Sequence, residues 1–145
     1  MAITTAMCTS FKSELLGGVH DLDTHTIKLA LIKNGMSGTY GAATTNYSDV
    51  TGNSDESSGT NYTAGGQNLD SAAIAVSGTT AHVDFADEVF SNVTTSAAGC
   101  IIYNSSASNK AICVIDFGGT VSATAGDLTI EFPAADASNA VIRIA

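Results

Sequence analysis

Met7, Phe11 and Leu15 recur at a spacing of four, which places their side chains on one face of a helix. The pattern predicts an N-terminal helix over Thr4 to Leu16, stopped by Gly17 and Gly18. Such a stripe reads first as core packing and second as an arm that docks on a neighbouring subunit. Past a turn rich in Asp and His from Val19 to Thr26, the period falls to two. Ile27, Leu29 and Leu31 alternate with Lys28, Ala30 and Ile32, and Asn34-Gly35 closes this strand as a turn. From Met36 to Gln67 the pattern dissolves into Gly, Ser, Thr, Asn and Ala, with Tyr40, Tyr47 and Tyr62 as the only aromatic side chains. A structureless stretch of this length is unusual inside a compact domain, so it reads as an exposed contact loop or as one holding a short strand.

The second half predicts a hairpin of Leu69 to Val76 with Ala81 to Ala86 around Ser77-Gly78-Thr79. Gly99 to Tyr103 and Ala111 to Phe117 are nearly continuous apolar runs on either side of a polar turn, Asn104 to Lys110. Runs apolar on both faces belong at the centre of a sheet system. Gly118 to Gly126 reads as a flexible connection. Leu128, Ile130 and Phe132 then alternate with Thr129 and Glu131 up to Pro133, and Val141 to Ile144 forms a last strand. About seven short strands and one early helix predict a mainly β protein, an antiparallel β-sandwich or open barrel, in a single domain over residues 1–145. Strands do not alternate with helices, and no glycine-rich phosphate loop is present, which excludes the doubly wound nucleotide folds.

Charge narrows the partners. The 145 residues carry 14 acidic against 5 basic side chains, a formal net charge of -9. Lys12, Lys28, Lys33, Lys110 and Arg143 are scattered singly, whereas phosphate neutralisation needs clustered cations, so nucleic acid is excluded as a partner. The same five residues and the lack of a long apolar run argue against a membrane. The opening MAITTAMCTSF has neither a basic nor a sustained apolar segment, which points to a protein made in the cytoplasm without a signal peptide. Sequons at Asn46, Asn61, Asn92 and Asn104 then follow from a chain with 18 Thr and 16 Ser.

Candidate chemistry is sparse. His20, Asp21, Asp23 and His25 are the densest polar cluster; their spacing matches no helix-borne metal signature, and turn capping by Asp is the simpler reading. Asp84, Asp87 and Glu88 raise the possibility of paired carboxylates or calcium ligands, but the chain lacks Trp, and aromatic residues are only 6%, too few for a sugar platform. Cys8, Cys100 and Cys113 are an odd set that reads as core filler, with a Cys100–Cys113 cross-strand pair as the alternative. No Gly-x-Ser-x-Gly elbow accompanies the many serines, so no nucleophile is nominated, and neither catalytic residue nor cofactor is expected.

Several segments resemble a known family when taken in order: Cys8-Thr-Ser-Phe-Lys-Ser-Glu-Leu-Leu16, Tyr62-Thr-Ala-Gly-Gly66, Val83-Asp-Phe-Ala86, Ile102-Tyr-Asn-Ser-Ser106, and the ending Phe132-Pro-Ala-Ala-Asp-Ala-Ser-Asn139 with Arg143-Ile-Ala145. Together they are similar to small structural proteins encoded by tailed bacteriophages, including phages of aquatic bacteria. The resemblance implies a virion component without catalytic activity, foremost a capsid cement or decoration protein. Such proteins oligomerise, often as trimers, on the outside of the shell and tie neighbouring major capsid subunits together. A tail or neck component is the alternative within the class, and a carbohydrate-binding module the alternative outside it. The resemblance marks no contact residues.

Overall fold

The computed structural model describes residues 1–145 and is mainly β, with ten strands and two short helices. Four strands have only two residues: β1 (Ala2–Ile3), β2 (Ala6–Met7), β4 (Thr39–Tyr40) and β5 (Gln67–Asn68). The others are β3 (Ile27–Ile32), β6 (Ala73–Ser77), β7 (Thr80–Asp84), β8 (Glu88–Asn104), β9 (Lys110–Ile130) and β10 (Ile142–Ile144). The helices are α1 (Thr9–Leu16) and α2 (Ser48–Gly52). A five-stranded antiparallel sheet runs in the order β2-β9-β8-β3-β5, a three-stranded sheet in the order β10-β7-β6, and β1 pairs with β4 in parallel. No sheet closes into a barrel, so the architecture is sandwich-like.

The central strands follow from composition. In β3, Leu29, Ala30, Leu31 and Ile32 are all fully buried, as are Cys100, Ile101 and Ile102 of β8 and Ala111, Ile112 and Val114 of β9. Side chains on both strand faces are out of water, which is why these runs are apolar without alternation. The register sets Leu29 opposite Ile102 and Ile101 opposite Val114. Phe11, Tyr40, Val50, Phe85, Phe90, Leu128 and Ile142 join them in one continuous core.

The hairpin β8–β9 is far longer than the sequence pattern predicts. Gly118 to Gly126 is not a flexible connection; it is strand, with Val121 opposite Ala97 and Ala123 opposite Thr95. Backbone bonds hold it, so its small and polar side chains carry no alternation for the eye to catch. The register shifts at four places along the pair, between Phe90 and Val93, Val93 and Thr95, Ala97 and Gly99, and Ile102 and Tyr103. Each shift lets the ribbon bend and twist. Asn92, with φ +49°, occupies the first irregularity, and the Asp127 carboxylate accepts its N–H at 2.9 Å.

The N-terminal helix is shorter than the four-residue spacing predicts. Ala6 and Met7 pair with Val114 and Cys113, which keeps the chain extended until Cys8, and α1 begins at Thr9. Met7 is therefore a strand residue, and Phe11 alone of the stripe is fully buried. The predicted glycine stop is present: the Val19 N–H reaches the Glu14 carbonyl at 2.9 Å and the Gly18 N–H the Leu15 carbonyl at 3.2 Å, with Gly18 at φ +74°. The 69–86 hairpin is also present, although its first strand starts at Ala73, and the last strand starts at Ile142 rather than Val141.

Candidate functional site

The polar stretch Met36 to Gln67 is the most elaborated surface of the molecule, and it is structured. It contains β4, α2 and β5 and is fastened by two adjacent carboxylates on opposite tasks. Asp55, with 0% exposure, accepts the N–H groups of Ser37 (2.9 Å) and Gly38 (2.8 Å) and the Tyr40 hydroxyl (2.6 Å), and it pairs with the Lys33 ammonium at 3.3 Å. Burial pushes this carboxyl up, but the hydrogen bonds from Tyr40, Ser37, Gly38 and Lys33 outweigh it and hold the group well below the usual carboxylate range. Burial, together with the Asp55 carboxylate, pushes the Tyr40 phenol up to about 12.

Glu56 faces the other way, toward the sheet. Its carboxylate accepts the hydroxyls of Tyr47 (2.5 Å) and Tyr62 (2.9 Å) and the Gly65 N–H (2.7 Å). Tyr62 in turn accepts the Leu31 N–H of β3 at 2.9 Å, and the Tyr103 hydroxyl of β8 donates to the Gly65 carbonyl at 2.7 Å. The Tyr47 and Tyr103 rings stack 4.5 Å apart at 8°. Burial drives the phenols of Tyr47, Tyr62 and Tyr103 upward, the last to about 12, with Glu56 adding to each. These tyrosines remain protonated donors at neutral pH and are poor acid–base catalysts. On the outside, Thr51, Ser58, Thr60 and Thr63 stand exposed, and a polar recess of about 460 Å³ opens between Thr39, Thr44, Ser48 and Asn53.

The histidine cluster is brought together, though around an amide. The buried Asn104 at the end of β8 lies with its side-chain nitrogen 3.1 Å from His20 Nδ1 and 2.9 Å from His25 Nδ1, while its oxygen accepts the Ser106 N–H. Two amide hydrogens thus serve two imidazoles, which places the His20 proton on Nε2, 2.7 Å from Glu14. Lys110 reaches the other oxygen of Glu14 at 3.3 Å. Asp21 caps its own turn, accepting the Thr24 hydroxyl and the Thr24 and Asp23 N–H groups, and these bonds lower its pKa. Asp23 is exposed, and no three His, Cys, Asp or Glu side chains converge as metal ligands anywhere in the chain. Replacement of Asn104 by Ala strands the Ser106 N–H and the buried His20 nitrogen, and is expected to lower the unfolding free energy by about 2 kcal/mol. An unchanged chemical-denaturation midpoint would count against Asn104 as the link between turn and hairpin.

The remaining candidates separate. Asp87 accepts the Phe132 N–H at 2.9 Å, whereas Glu88 is buried at the start of β8; burial and then the nearby Asp70 raise its pKa. Glu88 lines none of the three main clefts. Cys8, Cys100 and Cys113 are free and buried. The register sets Cys113 against Ile102 and Cys100 against Ile115, an offset rather than a directly facing pair. Burial pushes the Cys8 thiol up to about 11 and the Cys100 thiol up to about 12, which makes both unreactive. Asn104 and the Asp55–Glu56 pair are the polar hubs that sequence reasoning does not nominate. The only sequence signal for the acid pair is three tyrosines in an otherwise small-residue loop. No helix is long and apolar enough to cross a membrane. Comparison of the chain with known protein families, curated proteins and solved structures returns no match.

Proposed function

We propose that the protein is a non-enzymatic structural component of a tailed-bacteriophage virion, a capsid cement or decoration protein on the outer shell that ties major capsid subunits together. The observation that carries this reading is the Met36–Gln67 platform: the buried Asp55, the half-buried Glu56 and the tyrosines they bond hold it together from beneath, while its outer face offers small hydroxyl side chains. A surface ordered before contact loses little entropy on binding, and Thr and Ser suit a wet, adaptable interface. The order and spacing of the segments similar to the phage family supply the setting. Weak contacts suffice there, because a shell repeats each contact many times and an oligomer multiplies it again. The net charge of -9 is unfavourable beside packaged DNA and acceptable outside. The protein would be made in the host cytoplasm and reside on the capsid exterior, with the major capsid protein as its partner.

The test is to mix the purified protein with empty shells of the parent phage that lack it, and to follow co-sedimentation and the temperature of shell rupture. Saturable binding with a raised rupture temperature is expected. Deleting the platform is the wrong variant, since Tyr62 and Gly65 fasten it to β3 and β8; the exposed pair Thr51→Arg and Thr63→Arg is expected to weaken binding at least tenfold without moving the protein's own melting. Absence from shells, with the protein recovered in isolated tails, overturns the capsid assignment in favour of a tail or neck role.

A further inference from the structure

The outermost strand of the three-stranded sheet, β6, pairs only with β7, so one edge carries free backbone groups. Proteins protect such edges with charge, proline, bulges or a covering element. The sequence Ala73-Ile-Ala-Val-Ser77 has no charge and no proline, and its pairing with β7 is regular. Ala73 to Val76 are all exposed, Ile74 at 58% and Val76 at 69%. The chain leaves a β-branched apolar strand bare.

The turn fixes which groups point outward. Gly78 and Thr79 form a two-residue turn, with Gly78 at φ +62°, so Ser77 and Thr80 are the hydrogen-bonded closing pair. By alternation, the N–H and C=O of Ile74 and Val76 face away from β7. The side chains of these residues share a face with Ala81 and Ile144, since the register aligns Val76 with Ala81 and Ala81 with Ile144. Further along this face Val83 and Ile142 are buried, while Ile144 is 51% exposed; an apolar cleft of about 370 Å³ opens among Leu15, Leu22, Ile74 and Ile144.

We propose that β6 joins two copies of this chain, by antiparallel pairing with the β6 of a second copy about a two-fold axis at Ala75. That register sets Ile74 opposite Val76 of the other copy, and the reverse, giving two β-branched cross-strand pairs and four outward N–H···O bonds. Symmetry favours a second copy as occupant: the outward groups of Ile74 and Val76 lie evenly about Ala75, so the edge is complementary to itself. The net charge of -9 opposes association of two copies, and β6 is a stretch where neither presents a charge. A five-residue strand pair buries less than the roughly 1,200 Å² of a stable interface, so the dimer is reversible and forms in about the micromolar range. This inference does not rest on the virion reading.

Sedimentation across the micromolar range tests it. The wild-type chain is expected to pass from monomer to dimer as its concentration rises. Val76→Pro removes an outward N–H without touching the β7 ladder, and Ile74→Lys places two ammonium groups across the axis; each is expected to raise the dissociation constant at least tenfold. Thermal melting at dilutions where the wild type is monomeric checks that the variants fold, and Ile74→Lys decides alone if the proline variant does not. A monomer at every concentration overturns the proposal, as does a dimer that both variants leave intact. A trimer overturns it too, because three copies require head-to-tail contact of unlike edges.

Discussion

Replacement of Asp55 by Ala is expected to lower the unfolding free energy by about 3 kcal/mol at neutral pH, through the loss of one acceptor shared by two backbone amides, a phenol and an ammonium. Three of these donors, Ser37, Gly38 and Tyr40, belong to the Met36–Gln67 platform itself, so the loss falls on the surface proposed to meet the capsid. The pH dependence follows from the direction of the shift. The folded carboxyl titrates below its unfolded value of about 3.9, so its contribution is complete above that value and disappears as the pH falls beneath it. The difference between wild type and Asp55→Ala is therefore expected to narrow below about pH 4. Glu88 acts with the opposite sign, since burial raises its pKa; its contribution is present in acid and lost as the pH rises through the raised value. Urea denaturation of both proteins from pH 3 to pH 7 checks this. A gap that stays constant across this range would show that Asp55 acts only by filling space.

Gly66→Ala is expected to cost more, about 4 kcal/mol or outright misfolding of the β3–β5 edge. A Cβ at Gly66 falls 1.8 Å from the Leu29 carbonyl oxygen and 2.8 Å from the Ala30 Cα, backbone of the most buried strand, which cannot yield as a side-chain tip would. The residue also sits at φ +73°, which adds about 1 kcal/mol for any L side chain. Gly35 separates these two contributions. It has φ +71°, and a methyl group there would meet nothing within 4 Å, so Gly35→Ala carries the conformational cost alone. Thermal melts of the two variants should differ widely. Equal shifts would mean that backbone conformation, not the approach to β3, makes glycine necessary at position 66.

The residues of the phage resemblance take on physical content in this light. Tyr62 and Gly66 of one segment pin the platform to β3, and Tyr103 and Asn104 of another hold the platform and the histidine turn to β8. They are fasteners of the fold, and a surface that meets a partner need not include them.

What could be read from the sequence depended on burial. β3 and the inner halves of β8 and β9 were legible because both faces of those strands are dry, and only an unbroken apolar run satisfies that. The outer half of the hairpin was not, because Thr94 to Ala98 and Gly118 to Gly126 are ordered by backbone bonds with small side chains that give no period. The helix start misled for a local reason: Met7 fits the four-residue spacing, but pairing of β2 with β9 captures it first. Asp55 and Glu56 lie side by side in a polar stretch, where composition predicts solvated acids; only the fold reveals that Asp55 is covered and that Glu56 gathers two phenols. The candidate site was visible as a region, and its chemistry was not.

The pairing order also governs how the molecule is made. Leu29 pairs with Ile102 and Ala6 with Val114, so the first strands leave the ribosome long before their partners exist. The β8–β9 hairpin is different, for the turn Ser105 to Asn109 joins its inner ends and lets them close on each other directly. That hairpin carries the strands on which β3 and β2 pair, and until Asn104 is synthesised the apolar Ile27–Ile32 segment lacks its long partner β8. The five-stranded sheet thus waits on strands made late in translation, and the interval between synthesis of β3 and of β8 is the period in which its apolar segment is open to aggregation.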